Sequence, residues 1–190
     1  MLELMPSQQK CYGEIRQKME FKLKDLFAEI GIDKSRLAFL EALLKLRQIC
    51  CSPQLLSDNG SQFSFTDSTK LDWLAKHLPE MLQQGRKVII FSQFTSMLSL
   101  IEQQLQLLDL GYAILTGQTR DRQSAVDSFQ QGEKSIFLIS LKAGGTGLNL
   151  TAADTVIHFD PWWNPAVEQQ ATDRAYRIGQ KKPVFVYKLI

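Results

Sequence analysis

Two arginines three residues apart stand in the run Asp173-Arg174-Ala175-Tyr176-Arg177-Ile178-Gly179-Gln180. Arginine keeps its charge at any physiological pH and forks two N–H groups onto phosphate oxygens. A pair facing one way therefore suits a polyphosphate whose charge is redistributing. The apolar spacing predicts a helix over Ala166–Tyr176, and helical positions three apart share a face. The same residues also fit a solvated helix in which Asp173 and Glu168 supply surface ion pairs. Residue types alone leave both readings open.

Upstream lies a glycine-rich stretch, Lys142-Ala143-Gly144-Gly145-Thr146-Gly147-Leu148-Asn149-Leu150. Glycines allow close backbone approach, and bare amides there could grip a phosphate or a ribose. No Gly-Lys-Ser/Thr follows at Walker A spacing, and Leu150 stands where a dinucleotide fingerprint needs its third glycine. A tight structural turn explains the glycines equally well. Trp162-Trp163, ahead of Asn164-Pro165, fits loop packing better than stacking on a base. His77 and His158 have no partner pattern, and Lys181-Lys182 reads as a solvated turn. The sequence holds no nucleophile–base pair, metal-ligand cluster or carboxylate dyad, so it carries no complete active site.

The elements that must position these residues fall into two styles. Up to about residue 50 the pattern is helical. Leu23, Leu26, Phe27 and Ile30 share one face up to a stop near Gly31, and a second helix from about Lys34 puts Leu37, Leu40, Leu44 and Ile49 on its buried side. Pro53 closes this region, and residues 57–68 are polar and turn-rich. Next comes a helix bearing Leu71, Leu74, Leu78, Met81 and Leu82, stopped at Gly85. Short apolar runs then recur at Val88–Phe91, Tyr112–Leu115, Ile136–Ile139, Thr155–Phe159 and Val184–Leu189, with helical patterns between most of them. Such alternation predicts an α/β fold, a parallel sheet covered on both faces, with ligands bound off the carboxyl ends of the strands. The residues to watch are therefore Ser92-Gln93, Thr116-Gly117, Ser140 to Asn149, and Asp160 to Asn164.

The bulk numbers narrow the classes. The 190 residues are 44% hydrophobic and 22% charged, ordinary for a globular protein, and the net charge is only +2. Any polyanion site must be local rather than a global basic field. Three cysteines, Cys11, Cys50 and Cys51, are odd in number and lack metal-ligand spacing, as expected in a reducing compartment. No apolar run reaches membrane-spanning length, and the beginning does not read as a signal peptide. The final run, Val184–Ile190, reads as a strand in mid-sheet, so the chain is expected to be a piece of something larger.

Taken in order, several stretches resemble the second RecA-like lobe of a superfamily-two helicase of the SWI/SNF type. They are Lys87–Thr95, Leu115-Thr116-Gly117 with Arg122, Ser140–Leu150, Asp160–Pro165 and Gln170–Gln180, with Leu46–Pro53 similar to the helical connection entering that lobe. The resemblance implies a RecA-like parallel sheet preceded by a helical extension. Residues 1–56 would be the extension or inter-lobe insertion, 57–68 a linker, and 69–190 the lobe, truncated at its C-terminus. Arg174 and Arg177 would be arginine fingers for ATP and magnesium held by a first RecA-like lobe, with Gly147, Asn149 and Gln170 near the nucleotide. Ser92, Gln93, Thr116, Gly117, Lys142, Ala143 and Gly144 match positions lining one strand of double-stranded DNA. Many relatives of this type have arginine in place of Lys142, often leucine in place of Thr146, and histidine in place of Tyr176.

No Walker A lysine and no Asp-Glu box occurs, so the fragment alone is expected to be inactive, as one lobe of a DNA-dependent ATP hydrolase and translocase. An alternative is a module that docks DNA, RNA polymerase or another DNA-bound protein without its own catalytic role. A dinucleotide-binding enzyme is disfavoured by the absent third glycine and acidic ribose contact. The simple two-helix extension looks bacterial, which implies a cytoplasmic, nucleoid-associated setting and no membrane partner.

Overall fold

The structure is a computed structural model and describes residues 1–30, 35–56, 63–143, 147–162, 164–177, 179–180 and 182–190. Leu2–Asp72 and Trp73–Ile190 form separate compact units. In the first, helices α1 (Pro6–Ile30) and α2 (Arg36–Cys51) pack on each other, followed by short 3-10 turns at Pro53–Leu55 and Phe65–Asp67. Cys11, Ile49 and Leu56 form a small buried cluster. Gln8, wholly buried, donates through Nε2 to the Ile49 carbonyl at 2.6 Å and so locks α1 to α2.

The periodicity misjudged the outer half of α2. Ile49 is buried, but Leu37, Leu40 and Leu44 are 80%, 59% and 44% exposed. Spacing defines an apolar face, whereas burial needs a second surface to cover it. Phe27, on the same face of α1 as Leu23, is exposed as well. The expected stop near Gly31, the start at Lys34 and the polar residues 57–62 lie outside the described residues.

The second unit is built on a five-stranded sheet in the order β2-β3-β1-β4-β5, with every neighbouring pair parallel. The strands are β1 (Val88–Ser92), β2 (Tyr112–Leu115), β3 (Ile136–Ser140), β4 (Thr155–His158) and β5 (Phe185–Lys188). Helices α3 (Thr69–Gln83), α4 (Thr95–Leu107), α5 (Arg122–Gln131) and α6 (Pro165–Thr172) complete it. Every residue of β1, β3 and β4 is buried, which is why their sequences are continuous Val/Ile/Phe runs rather than alternating ones.

Alternation along the strands divides the core. Ile89, Phe91, Phe137, Ile139 and Val156 pack with Val126 and Phe129 of α5 and Ala171 of α6. Val88, Ile90, Ile136 and Leu138 point the other way, and α4 lies against β1 and β3 with Leu98, Ile101 and Leu105 buried. Helices thus cover both faces. Because all strands run the same way, Ser92, Leu115, Ser140 and His158 end along one edge of the sheet.

Candidate functional site

At that edge the loops are tied to one another rather than hanging free. Asp160, just past β4, accepts the Gln93 amide through Oδ2 at 3.0 Å, and Leu141 N–H donates to the Ser92 carbonyl at 2.9 Å. The Ser92 side chain is buried and turned onto its own loop, where Oγ accepts from the Phe94 amide at 3.1 Å. Thr116 likewise uses Oγ1 to accept the Gln118 amide at 3.2 Å, leaving Gly117 exposed at the tip. Lys142 is exposed, while Ala143 is buried and its carbonyl accepts from Arg122 Nη2 at 2.9 Å. Gly144 lies outside the described residues. The structure therefore gathers Ser92, Gln93, Thr116, Gly117, Lys142 and Ala143 at the ends of β1, β2 and β3, with Gly117 and Lys142 the most open.

The arginines are placed differently from the helical expectation. Asn164 caps α6 by accepting the Ala166 amide at 3.0 Å, and Pro165 starts the helix, but α6 ends at Thr172. Arg174 sits in the turn beyond and Arg177 in a following bend. The Arg174 amide donates to the Ala171 carbonyl at 3.3 Å and the Ala175 amide to the Thr172 carbonyl at 3.0 Å, three-residue steps that tighten the chain out of the helix into a turn. The Arg174 carbonyl in turn accepts the Leu150 amide at 3.0 Å. The pair is brought together by a turn leaning on the β3–β4 connection.

Their environments differ sharply. Arg177 is exposed, and its Nη1 lies 3.4 Å from the Gly147 carbonyl. Arg174 is 2% exposed, and among the described residues its Nε and Nη1 have no hydrogen-bond partner. Burial first, and then the charge on Arg177, lowers the proton affinity of Arg174. It still carries its charge at neutral pH, as guanidinium does throughout proteins. Buried guanidinium nitrogens that find no acceptor among the described residues, beside a second cation, are costly. The surface ion pair that the sequence also allowed is not formed at Arg174. Asp173 instead accepts from Gln169 Nε2 at 2.8 Å, and Glu168 takes the Trp162 amide at 2.7 Å together with Lys188 Nζ.

Gly147 has φ +50, a conformation glycine adopts freely. Asn149 is exposed, with its carbonyl accepting from Gln130 Nε2 at 3.1 Å; Gln170 is exposed on α6. Gly145, Thr146 and Trp163 lie outside the described residues. Sequence reasoning assigned no role to Gln130 or Gln180, and singled out Asp160 only by its place after a strand. Gln130 also accepts the Ala152 amide at 2.9 Å, pinning the β3–β4 connection to α5. No spacing rule signals such residues, because their partners are distant backbone groups.

These features fit a RecA-like lobe, and comparison with known proteins agrees. The helicase conserved C-terminal domain model matches residues 69–179. An uncharacterized ATP-dependent helicase of Mycoplasma pneumoniae is 40% identical over the whole of this chain, which spans 18% of that protein. The mouse (Mus musculus) SWI/SNF-related matrix-associated actin-dependent regulator of chromatin subfamily A member 1 is 39% identical over 94% of the chain, again 18% of the relative. Among solved structures, the Sulfolobus solfataricus SWI2/SNF2 ATPase core in complex with dsDNA superposes with a TM-score of 0.80 at 34% identity, covering 98% of this chain and 39% of that one. The chain belongs to the helicase C-terminal domain family, in its SWI/SNF-related branch.

Proposed function

We propose that this lobe completes the ATP site of a double-stranded DNA translocase by presenting Arg174 and Arg177 to ATP held on a first RecA-like lobe. The observation that carries the reading is the buried Arg174 guanidinium, two of whose nitrogens have no acceptor among the described residues. Phosphate oxygens supply negative charge to both arginines and acceptors to Arg174 Nε and Nη1. Arg174, held rigid by burial, orients on the transferring phosphoryl group, and the exposed Arg177 adds charge from the flank. Gly147, Asn149 and Gln170 border the same nucleotide.

Among the described residues no group of His, Cys, Asp and Glu gathers to hold a metal ion. The magnesium ligands are therefore assigned to the other lobe, where the ion neutralises phosphate oxygens when bound. The edge formed by Gln93, Thr116, Gly117, Lys142 and Ala143 contacts one DNA strand through backbone and polar groups, which position without reading sequence. Ser92 acts there by shaping its loop. Closing of the lobes on ATP and reopening after hydrolysis turns alternating grip into stepping.

The test is ATP turnover of the full-length protein, with and without duplex DNA. Arg174→Ala and Arg177→Ala are each expected to lower stimulated turnover, by roughly 10³-fold for the principal finger. Normal hydrolysis by both variants at saturating DNA would refute the assignment. The isolated lobe is expected to show no DNA-stimulated hydrolysis.

A further inference from the structure

Gln180 makes more backbone contacts than any single sequence motif suggests. Its Nε2 donates to three carbonyls, those of Ala153 at 2.6 Å, Thr151 at 3.1 Å and Ala175 at 3.2 Å. Its Oε1 accepts the Lys182 amide at 2.9 Å. Ala175 follows Arg174 directly, while Thr151 and Ala153 close the connection that begins at Ser140 and carries Gly147 and Asn149. Two amide protons shared among three carbonyls make one side chain the joint between both strands of the arginine turn. Gly179, at φ +105, gives the chain the reversal that lets Gln180 fold back, and the Gln180 amide itself donates to the Arg177 carbonyl at 2.9 Å.

We infer that Gln180 is a positioning residue for catalysis, fixing the Arg174 guanidinium against the Gly147–Asn149 segment. The inference rests on the proposed role of Arg174. Ala175 is fully buried, and Arg174 has no side-chain hydrogen bond at Nε or Nη1 among the described residues. Its direction is therefore set by the backbone on either side. The Leu150–Arg174 backbone bond holds one end of that peptide, and the Gln180–Ala175 bond holds the next carbonyl. The hydrogen bonds of the Gln180 side chain go to none of the residues proposed to contact ATP, so its loss acts on the precision of the finger and not on nucleotide affinity. Misplacement by about an ångström costs on the order of a hundredfold in rate.

The experiment is a double-mutant cycle in the full-length protein, with steady-state ATP hydrolysis at saturating duplex DNA as readout. Gln180→Met keeps the side chain's length and removes its donors. It is expected to lower kcat by about tenfold to a hundredfold while KM for ATP changes by less than about threefold. The double variant with Arg174→Ala is expected to match Arg174→Ala alone, because groups acting as a unit are not additive. Multiplied losses in the double variant mean a merely structural glutamine and overturn the inference, as does an unchanged kcat in Gln180→Met. If Gln180→Met fails to fold, Gln180→Asn, which keeps the donor about one methylene short, enters the same cycle. An Arg174→Ala variant with normal turnover sinks the finger reading itself, an outcome visible independently of the Gln180 arms.

Discussion

The Arg174 carbonyl accepts the Leu150 amide at 3.0 Å, joining the turn after α6 to the connection between β3 and β4. That bond ties the arginine turn to the segment carrying Gly147, whose carbonyl lies 3.4 Å from Arg177 Nη1. The same connection starts at Lys142 and Ala143 on the strand edge assigned to DNA. One segment of chain therefore runs from the edge proposed for DNA to the arginines proposed for ATP.

Arg174→Met should stabilise the fold while impairing its function. Replacing a buried cation whose Nε and Nη1 find no acceptor among the described residues by an apolar side chain of similar length is expected to leave stability unchanged or raise it by about 1–2 kcal/mol. Urea unfolding of the variant and the wild type measures this. A loss of more than about 2 kcal/mol would mean that Arg174 is already satisfied within the protein.

Gly179→Ala isolates backbone strain. A Cβ at this position meets no atom within 4 Å, so crowding is not at issue, but φ +105 disfavours any side chain. The expected cost is about 1–2 kcal/mol in thermal or urea unfolding. Turnover should fall as well, because Gln180 is displaced. Wild-type values for both contradict the turn described here.

His158 provides a pH signature. Its ring stacks on Phe91 with centroids 5.6 Å apart, and Nε2 lies 3.0 Å from Thr172 Oγ1. Burial is the main influence holding its pKa below 6.5; Lys188 adds to this and Glu168 opposes it. Below about pH 6.5 the unfolded chain takes up a proton that the folded ring resists. Stability should therefore fall as pH drops from about 6.5 toward the lowered folded value, and His158 should contribute no slope above that window. His158→Gln is expected to flatten the pH dependence of unfolding between about pH 7 and pH 5, by at most about 1.4 kcal/mol per pH unit. Identical slopes in variant and wild type would contradict it.

The three inner strands were legible because burial on both faces forces continuous apolar runs; the edge strands β2 and β5 are partly exposed but still apolar enough to be found. Tyr112–Leu115 matches β2 residue for residue, and Val88–Phe91 falls one residue short of β1. The arginine turn was not legible, since residue types do not show that the hydrogen bonds tighten after α6 or that the Arg174 carbonyl pairs with the Leu150 amide. Gln180 was quoted only as the end of a motif, because a glutamine's partners are decided by tertiary structure. Leu37 and Leu40 show the opposite error, where a regular apolar spacing has no covering surface in the unit that contains it. The chemistry of Arg174 was readable from residue type, but the burial that gives it meaning was not.

Glu168 and Lys188 test the support beneath the site. Glu168 is 4% exposed, and one oxygen takes the Trp162 amide at 2.7 Å while the other faces Lys188 Nζ. Lys188→Met leaves a buried carboxylate with one partner fewer, which is expected to cost about 1–3 kcal/mol. An unchanged unfolding midpoint and slope would show that the ion pair contributes nothing.

The central claim is that Arg174 serves transfer rather than nucleotide capture, and it is tested most directly by measuring both in one variant. Full-length Arg174→Ala should bind a fluorescent ATP analogue within a few-fold of wild type while kcat at saturating duplex DNA falls by roughly 10³-fold. Hydrolysis within about twofold of wild type would contradict the account.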